Sequence, residues 1–128
     1  MKILQMDVDS ITFEPIKPEA SLYDDVKKEK TVVNNTLVIL TSVENGDTIE
    51  MADKAMQDTF EFMKKLARTS LVIYPFAHLS GNLAAPKDAM QILEYMYKHV
   101  PENITVVKAP FGWNKKLILD IKAQKNDM

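Results

Sequence analysis

Two short segments carry the side chains best suited to chemistry in this chain of 128 residues. Residues 74–80 have the sequence Tyr-Pro-Phe-Ala-His-Leu-Ser and run from an apolar stretch into a loop, where His78 could position water or the substrate. Residues 108–115 have the sequence Lys-Ala-Pro-Phe-Gly-Trp-Asn-Lys, and the ammonium of Lys115 could stabilise a developing oxyanion. Each segment also has a structural explanation, because a histidine at a strand end is more often a surface residue and a strand-end lysine is often solvated.

Other sets of reactive side chains are less complete. Ser42 or Ser80 with His78 and Glu44 could form a nucleophilic triad, but the chain lacks the Gly-x-Ser-x-Gly turn that positions such a serine. The chain contains no cysteine, which excludes disulfides, thiolate catalysis and cysteine-bound metals. No cluster of His, Asp and Glu completes a metal site, and neither common glycine-rich phosphate loop occurs. We therefore expect neither a metal nor another cofactor.

Length and composition indicate one folded domain that spans residues 1–128. Hydrophobic residues make up 46% of the chain, which is too large a share for a disordered segment. No apolar run reaches 18 residues, and Asp7 interrupts the start of the chain before a signal-peptide core could form. We expect a cytoplasmic protein that does not enter the membrane.

The charged residues are distributed unevenly, although the formal net charge is only −2. Residues 1–63 contain 6 lysines and 13 acids, whereas residues 64–128 contain 10 lysines or arginines and 5 acids. The cationic second half permits a polyanionic partner on one side of the molecule. An ordinary solvated surface with both signs interspersed is the alternative.

Hydrophobic periodicity predicts a single α/β domain with mixed β-sheet layers and two covering helices. Residues 36–43 form a continuous β-branched run, which is typical of a strand covered on both faces. Apolar residues at steps of three or four predict two helices, the first beginning with a capping box of Asp47 and Glu50. The predicted order is strands 2–8, 10–16 and 36–43, helix 49–67, strand 70–76, helix 86–100, and strands 104–109 and 116–122.

The connections between these elements follow from polar residues and prolines. Asp9 and Ser10 are expected to form the turn between the first two strands. Residues 17–35 are rich in charge and lack clear periodicity, so we expect an exposed connection with a short helix around residues 22–26. Pro75 is expected at the end of its strand because proline cannot donate a hydrogen bond to a neighbouring strand.

Considered together, the two chemical segments resemble one known family. Residues 74–80 and 108–115, with the opening residues 1–4 that lead to Asp9 and the Thr-Ser-Val-Glu of residues 41–44, resemble the N-terminal editing domain of archaeal threonyl-tRNA synthetases. The Pro-Phe-Ala-His-Leu-Ser string is quite specific, whereas the opening strand alone would not be.

The resemblance spans about residues 1–119 and carries implications for fold and partners. It implies the fold of D-aminoacyl-tRNA deacylases, a homodimer, and hydrolysis of serine wrongly attached to threonine tRNA. Its partners would be the aminoacylated 3′ end of the tRNA and the aminoacylation domain of the synthetase, in cis or in trans. Two alternatives are a noncatalytic module for tRNA-end binding or dimerisation, and a free-standing D-aminoacyl-tRNA deacylase.

The resemblance also implies a role for each residue of the site. Lys115 and His78 would be catalytic, with assistance from the neighbouring 2′-hydroxyl of the terminal ribose. Val43 would exclude the methyl group of threonine, whereas from the residues alone it is simply a strand residue. Such a second selection step is needed because a site built for threonine loses only about 1–3 kcal/mol on serine. The implied substrate-binding residues are Ser42, Val43, Glu44, Pro75, Phe76, Ala77, Pro110, Phe111, Gly112, Trp113 and Asn114.

Two positions depart from the family pattern. Asn114 stands where relatives commonly have tyrosine, so a contact there is expected to be lost or replaced by backbone. Relatives usually continue past the last strand to a glutamate that helps to organise the site, and residues 123–128 offer no matching acid. Either the chain stops short of that element or the site works without it.

Overall fold

The centre of the sheet is a long antiparallel pair from the first third of the chain. In the computed structural model, which describes residues 1–123, β1 comprises Lys2–Pro18 and β2 comprises Thr31–Ser42. They pair along nearly the whole length of β2. Residues 36–42 are all buried, which confirms the prediction that this strand is covered on both faces.

The predicted turn at Asp9 and Ser10 is wrong, because β1 passes through both residues as one strand. The pairing of β1 with the last strand, β5 (Trp113–Ile121), shifts by one residue at this point, as in a β-bulge. The extra residue lets Val8 and Ile11 share one core although they are three positions apart. The bulge therefore accommodates the polar pair without reversing the chain.

Two helices and two further strands complete the fold. The remaining elements are α1 (Ile49–Leu66), β3 (Ser70–Pro75), a 3₁₀ turn (Ala77–Leu79), α2 (Pro86–Lys98) and β4 (Thr105–Lys108). β3 lies parallel to β2 and β4, and β5 pairs antiparallel with β1, which gives the order β4-β3-β2-β1-β5. Within residues 1–123 the structure confirms a single α/β domain with a mixed sheet and two helices, with one strand fewer than predicted. Pro75 ends its strand as expected.

The capping box predicted for α1 is also wrong. The N-cap is Thr48, whose hydroxyl accepts a hydrogen bond from the backbone N–H of Met51 at 3.2 Å. The Asp47 carboxylate instead accepts from the backbone N–H of Glu44 at 2.7 Å. Asp47 therefore closes the turn before the helix, and the shorter threonine side chain caps it.

The two faces of the sheet are covered in different ways. Both α-helices pack on one face, where they bury Leu37 and Ile39 of β2. The opposite face buries side chains from β1, β2 and β3, with partly buried side chains from β4 and β5 packed around them, and within residues 1–123 it receives none from α1 or α2. The rings of Phe13 on β1 and Tyr74 on β3 lie 5.8 Å apart although these strands are not neighbours. The sheet therefore curls so that β1 and β5 close over β3.

The connection between β1 and β2 contains no helix, so the helix predicted around residues 22–26 is wrong. The backbone N–H groups of Glu19 and Ala20 both donate to the carbonyl of Gly112, at 2.7 and 3.1 Å. The N–H of Asp24 donates to the carbonyl of Phe111 at 3.1 Å. Because these groups find partners elsewhere in the chain, the segment has no need of local helical bonds. We call residues 19–24 the strap.

The description ends at residue 123. The prediction that residues 123–128 offer no acid to match the glutamate of relatives lies almost entirely outside the described part of the chain. Up to residue 123, neither α-helix combines the length and the apolar composition that crossing a bilayer requires.

Candidate functional site

A cavity of about 530 Å³ opens where the parallel strands β2 and β3 end. The C-terminal ends of parallel strands lie at the same edge of a sheet, and this edge is a common place for ligand sites. The Phe76 N–H donates to the Thr41 carbonyl at 2.8 Å, and the Ser42 hydroxyl donates to the Phe76 carbonyl. These two bonds hold the strand ends together at the base of the cavity. Most of the lining comes from residues 41–43, 74–78 and 111–115.

The fold gathers most of the implied site residues around this one cavity. All of them except Glu44 and Pro110 line it. Pro110 is buried behind the wall and contributes its carbonyl to Lys115. Glu44 lies outside the lining, where it accepts a hydrogen bond from the Ser80 hydroxyl at 2.6 Å and from the Met1 amine at 2.9 Å.

Lys115 extends from β5 into the cavity with its ammonium group held in place. Its Nζ donates to the carbonyl of Pro110 at 2.8 Å and to the carbonyl of Trp113 at 3.1 Å. The same nitrogen lies 4.9 Å from the centre of the Tyr74 ring, a cation–π distance. An ammonium has three N–H donors. Within residues 1–123 the hydrogen bonds of Lys115 use two of them, which leaves one for a ligand.

Burial gives this cation an unusual acidity. Removal from water lowers the pKa of Lys115 to about 8, and the negative charge of Asp24 opposes that shift. Burial also raises the pKa of Tyr74 to about 12, so its hydroxyl stays neutral at physiological pH. Lys115 is therefore still mainly a cation near pH 7 but loses its proton just above it.

His78 takes a different position from Lys115. It lies in the 3₁₀ turn after β3, is exposed at the cavity, and packs its ring edge-on to Phe76 at 4.8 Å between centroids. The possible nucleophilic triad is not assembled among the described residues, because the hydroxyl of Ser42 donates to a carbonyl and that of Ser80 to Glu44. The hydrogen bond from Ser80, followed by that from the N-terminal ammonium, lowers the pKa of Glu44. Glu44 is thus an ionised acceptor and not a proton donor at neutral pH.

Val43 belongs both to the cavity wall and to the protein core. Its side chain is 4% exposed and packs with the cluster beneath the two helices. Its carbonyl accepts a hydrogen bond from the N–H of Ala84 at 3.0 Å, which brings the loop before α2 over the cavity. The residue directly after β2 therefore presents a buried β-branched side chain to any ligand bound here.

The structure adds wall residues that sequence reasoning missed. The strap contributes Glu19 and Ala20, and α2 contributes Pro86, Ala89 and Leu93 from its first two turns and its middle. The helix residues were predicted only as an apolar stripe, because periodicity indicates which face is buried but not what lies opposite. The remaining wall residues are Thr41, Tyr74, Leu83, Ala84 and Leu117.

Asp24 is the most highly connected of the missed residues. Its carboxylate accepts from the Phe111 N–H at 2.9 Å and lies 3.2 Å from the Lys108 ammonium. Its backbone carbonyl accepts from the indole N–H of Trp113 at 2.7 Å. The one signal in the sequence was a pair of large apolar residues, Leu22 and Tyr23, inside an otherwise charged connection.

Gly112 lets the strap and the turn at residues 110–114 pack against each other. Its φ of +80° is one that side chains disfavour, and a Cβ would lie 2.4 Å from the Leu22 carbonyl oxygen and 2.7 Å from the Tyr23 Cβ. Gly46 has a similar φ of +91° but open space around it. The two glycines thus share a backbone requirement, and only Gly112 also requires the absence of a side chain.

We expect Gly112→Ala to destabilise the protein clearly more than Gly46→Ala. Backbone strain at a left-handed position costs about 1–3 kcal/mol, and both variants incur it. Gly112→Ala must in addition displace the strap. Denaturant unfolding of the two variants measures the difference, and equal losses in the free energy of unfolding would show that the strap does not require this close contact.

Two solved structures share the fold of this chain. One is the c-Myc DNA unwinding element binding protein, with a TM-score of 0.63 at 14% identity, covering 94% of this chain and 91% of that chain. The other is a probable eukaryotic D-amino acid tRNA deacylase, with a TM-score of 0.53 at 12% identity and 92% of each chain covered. At these identities the likeness concerns the fold alone, and it confirms the predicted deacylase-like architecture.

Relatives in sequence come from archaeal threonine–tRNA ligases. The editing subunit of the Saccharolobus solfataricus ligase is 42% identical over 92 residues, which cover 72% of this chain and 24% of that protein. The ligase of Nitrosopumilus maritimus is 33% identical over 123 residues, which cover 95% of this chain and 20% of that protein. The matched region is therefore a quarter or less of either relative. The model of the archaea-specific editing domain of threonyl-tRNA synthetase matches residues 1–125, and the chain belongs to this family.

Proposed function

We propose that the cavity at the ends of β2 and β3 binds the aminoacylated 3′ end of threonine tRNA and hydrolyses the ester of wrongly attached serine. The observation that carries this proposal is the buried Lys115 ammonium, held by two carbonyls and with a donor left for a ligand. Membership of the editing-domain family supports it, as does the cavity volume, which lies within the usual range for small-molecule sites.

The proposed reaction is the addition of water to the ester carbonyl. The water oxygen bonds to the carbonyl carbon, and the carbonyl oxygen becomes an oxyanion that an ammonium can stabilise. The water gives up a proton, the bond between that carbon and the ribose oxygen breaks, and the proton passes to the ribose oxygen, which releases serine and free tRNA. In this proposal Lys115 faces the oxyanion or orients the water, His78 positions water or the substrate at the rim, and the adjacent ribose hydroxyl assists.

Selection between serine and threonine is assigned to the wall beside the ester. Serine lacks one methyl group of threonine, and one methyl alone supplies only about 1–3 kcal/mol of discrimination. A buried β-branched side chain such as Val43 cannot move aside without disturbing the core around it. We propose that it takes up the volume that the extra methyl would need.

The protonation state of Lys115 predicts how the reaction depends on pH. If the ammonium form is the active one, the catalysed rate is highest below the Lys115 pKa of about 8 and falls as the pH rises through that value. If the neutral amine acted as a base, the rate would rise instead. Single-turnover rates on seryl-tRNA, corrected for spontaneous hydrolysis at each pH, distinguish these two slopes.

A deacylation assay with three substrates tests the function itself. We expect rapid hydrolysis of seryl-tRNA and slow hydrolysis of threonyl-tRNA, both charged on threonine tRNA. If the chain instead hydrolysed a D-aminoacyl-tRNA faster than seryl-tRNA, its activity would be that of a D-aminoacyl-tRNA deacylase. Binding of the tRNA end without hydrolysis of any of the three substrates would leave a noncatalytic binding module and overturn the proposal.

A further inference from the structure

We propose that Asp24 is a positioning residue for Lys115: it secures the turn at residues 110–114, whose carbonyls hold the ammonium. No motif pointed to Asp24, which belongs to a connection that the sequence predicted to be merely exposed. The inference rests on the proposed function, in which Lys115 acts on the ester.

Asp24 binds the turn through its side chain and its backbone. The carboxylate accepts from the Phe111 N–H at 2.9 Å, and the backbone of Asp24 both donates to the Phe111 carbonyl at 3.1 Å and accepts from the Trp113 indole at 2.7 Å. The two residues that it binds, Phe111 and Trp113, flank Gly112, where only glycine allows the strap to approach so closely. One residue of the strap thus fixes both sides of the turn.

The same turn provides both hydrogen-bond acceptors of Lys115. The ammonium donates to the carbonyl of Pro110, directly before Phe111, and to the carbonyl of Trp113. A shift of the turn would therefore move both acceptors together. A misplacement of about 1 Å at a catalytic group can lower the rate about a hundredfold. A residue that fixes this turn can therefore affect the rate of hydrolysis.

Asp24 is itself held in place by a chain of charges. Its carboxylate lies 3.2 Å from the Lys108 ammonium of β4, which also binds the Glu94 carboxylate of α2 at 2.9 Å. The paired groups on Lys108 and Asp24 are largely buried, with 17% of each side chain exposed. The strap is thereby tied to the helix that forms the opposite wall of the cavity.

Asp24 also acts on Lys115 through its charge. It is the carboxylate whose field raises the pKa of Lys115 against the lowering effect of burial. Within residues 1–123, the other ionisable groups that line the cavity with Lys115 are the neutral Tyr74 hydroxyl of β3, His78, and Glu19 of the strap, which is paired with Lys17. Loss of the Asp24 charge should therefore lower the pKa of Lys115 further, and loss of its oxygens should loosen the turn.

Two substitutions separate these effects. Asp24→Asn keeps an oxygen that can accept from the Phe111 N–H but removes the charge, whereas Asp24→Ala removes both. Asp25→Asn is the matched control, because Asp25 is the exposed neighbouring acid. The readouts are single-turnover hydrolysis of seryl-tRNA as a function of pH and an NMR titration of the Lys115 side chain, whose signal is assigned from its loss in Lys115→Met.

We expect Asp24→Ala to lower the rate by roughly tenfold to a hundredfold in a protein that still melts cooperatively. Asp24→Asn should recover much of that rate below the Lys115 pKa. The pH at which its rate falls and the midpoint of its Lys115 NMR titration should both be lower than in Asp25→Asn. The titration does not require catalysis, so a displaced midpoint of Asp24→Asn in a protein without deacylase activity would contradict the proposed function and still support the action of Asp24 on Lys115. A folded Asp24→Ala with unchanged rate, or an Asp24→Asn with an unchanged midpoint, would overturn the inference.

Discussion

Lys115→Met is expected to slow the hydrolysis of seryl-tRNA by about 10²- to 10³-fold, the usual cost of losing one donor to an oxyanion. Methionine is about as long as lysine and has no charge, so its side chain can occupy the space beside the Tyr74 ring without the cost of desolvating an ammonium group. The fold should survive, because the variant removes a partly desolvated cation and leaves the turn held by the strap.

The neighbouring residue provides a matched control for this variant. Lys116 lies on the same strand, is exposed, and points away from the cavity lining. Lys116→Met should leave the single-turnover rate on seryl-tRNA nearly unchanged. If a folded Lys115→Met protein kept the wild-type rate, Lys115 would have no part in the mechanism.

Val43→Ala is expected to accelerate the hydrolysis of threonyl-tRNA by about tenfold to two-hundredfold, with little effect on seryl-tRNA. The motivating observation is that Val43 lines the cavity directly beside Ser42, at the end of β2. Removing its two methyl carbons would leave room for the methyl of threonine. Competition between the two charged tRNAs in one reaction measures the change in selectivity.

The stability of this variant must be measured together with its selectivity. Val43 is also a core residue, so truncation should lower the free energy of unfolding by about 1–3 kcal/mol. Val38→Ala is the matched control, since Val38 is a fully buried valine of β2, the strand that Val43 follows, and does not line the cavity. Similar destabilisation of both variants with an unaltered serine-to-threonine ratio would mean that Val43 is only a core residue.

Much of the fold follows from local patterns that a sequence displays directly. The β-branched run of residues 36–42 became the buried strand at the centre of the sheet. The apolar stripes predicted both helices. Pro75 ends β3 and Pro86 begins α2, because proline has no backbone N–H to donate to a neighbouring strand and loses nothing in the first turn of a helix, where that N–H has no partner. These features depend on neighbours within a few positions, so no knowledge of the remaining chain is needed.

Two of the wrong predictions, the turn at Asp9 and Ser10 and the helix around residues 22–26, share one physical cause, which is a distant hydrogen-bond or packing partner. Asp9 and Ser10 lie in a bulge because β1 pairs on both sides with strands far away in the sequence. The helix expected around residues 22–26 is absent because the strap bonds to a turn nearly ninety residues away, as in the 2.9 Å bond between Phe111 and Asp24. Local propensity cannot compete with such partners once the chain has folded.

By itself, the sequence determined which side chains are available for chemistry: one motif that contains His78, one that ends in Lys115, and no thiol. Only the tertiary structure decided that both motifs share a cavity with Val43, and that Glu44 stands outside its lining. It also decided the chemical state of Lys115, because burial and the field of Asp24 depend on the whole fold. Residue type is a local property, whereas distance, desolvation and charge environment arise only when remote segments pack together.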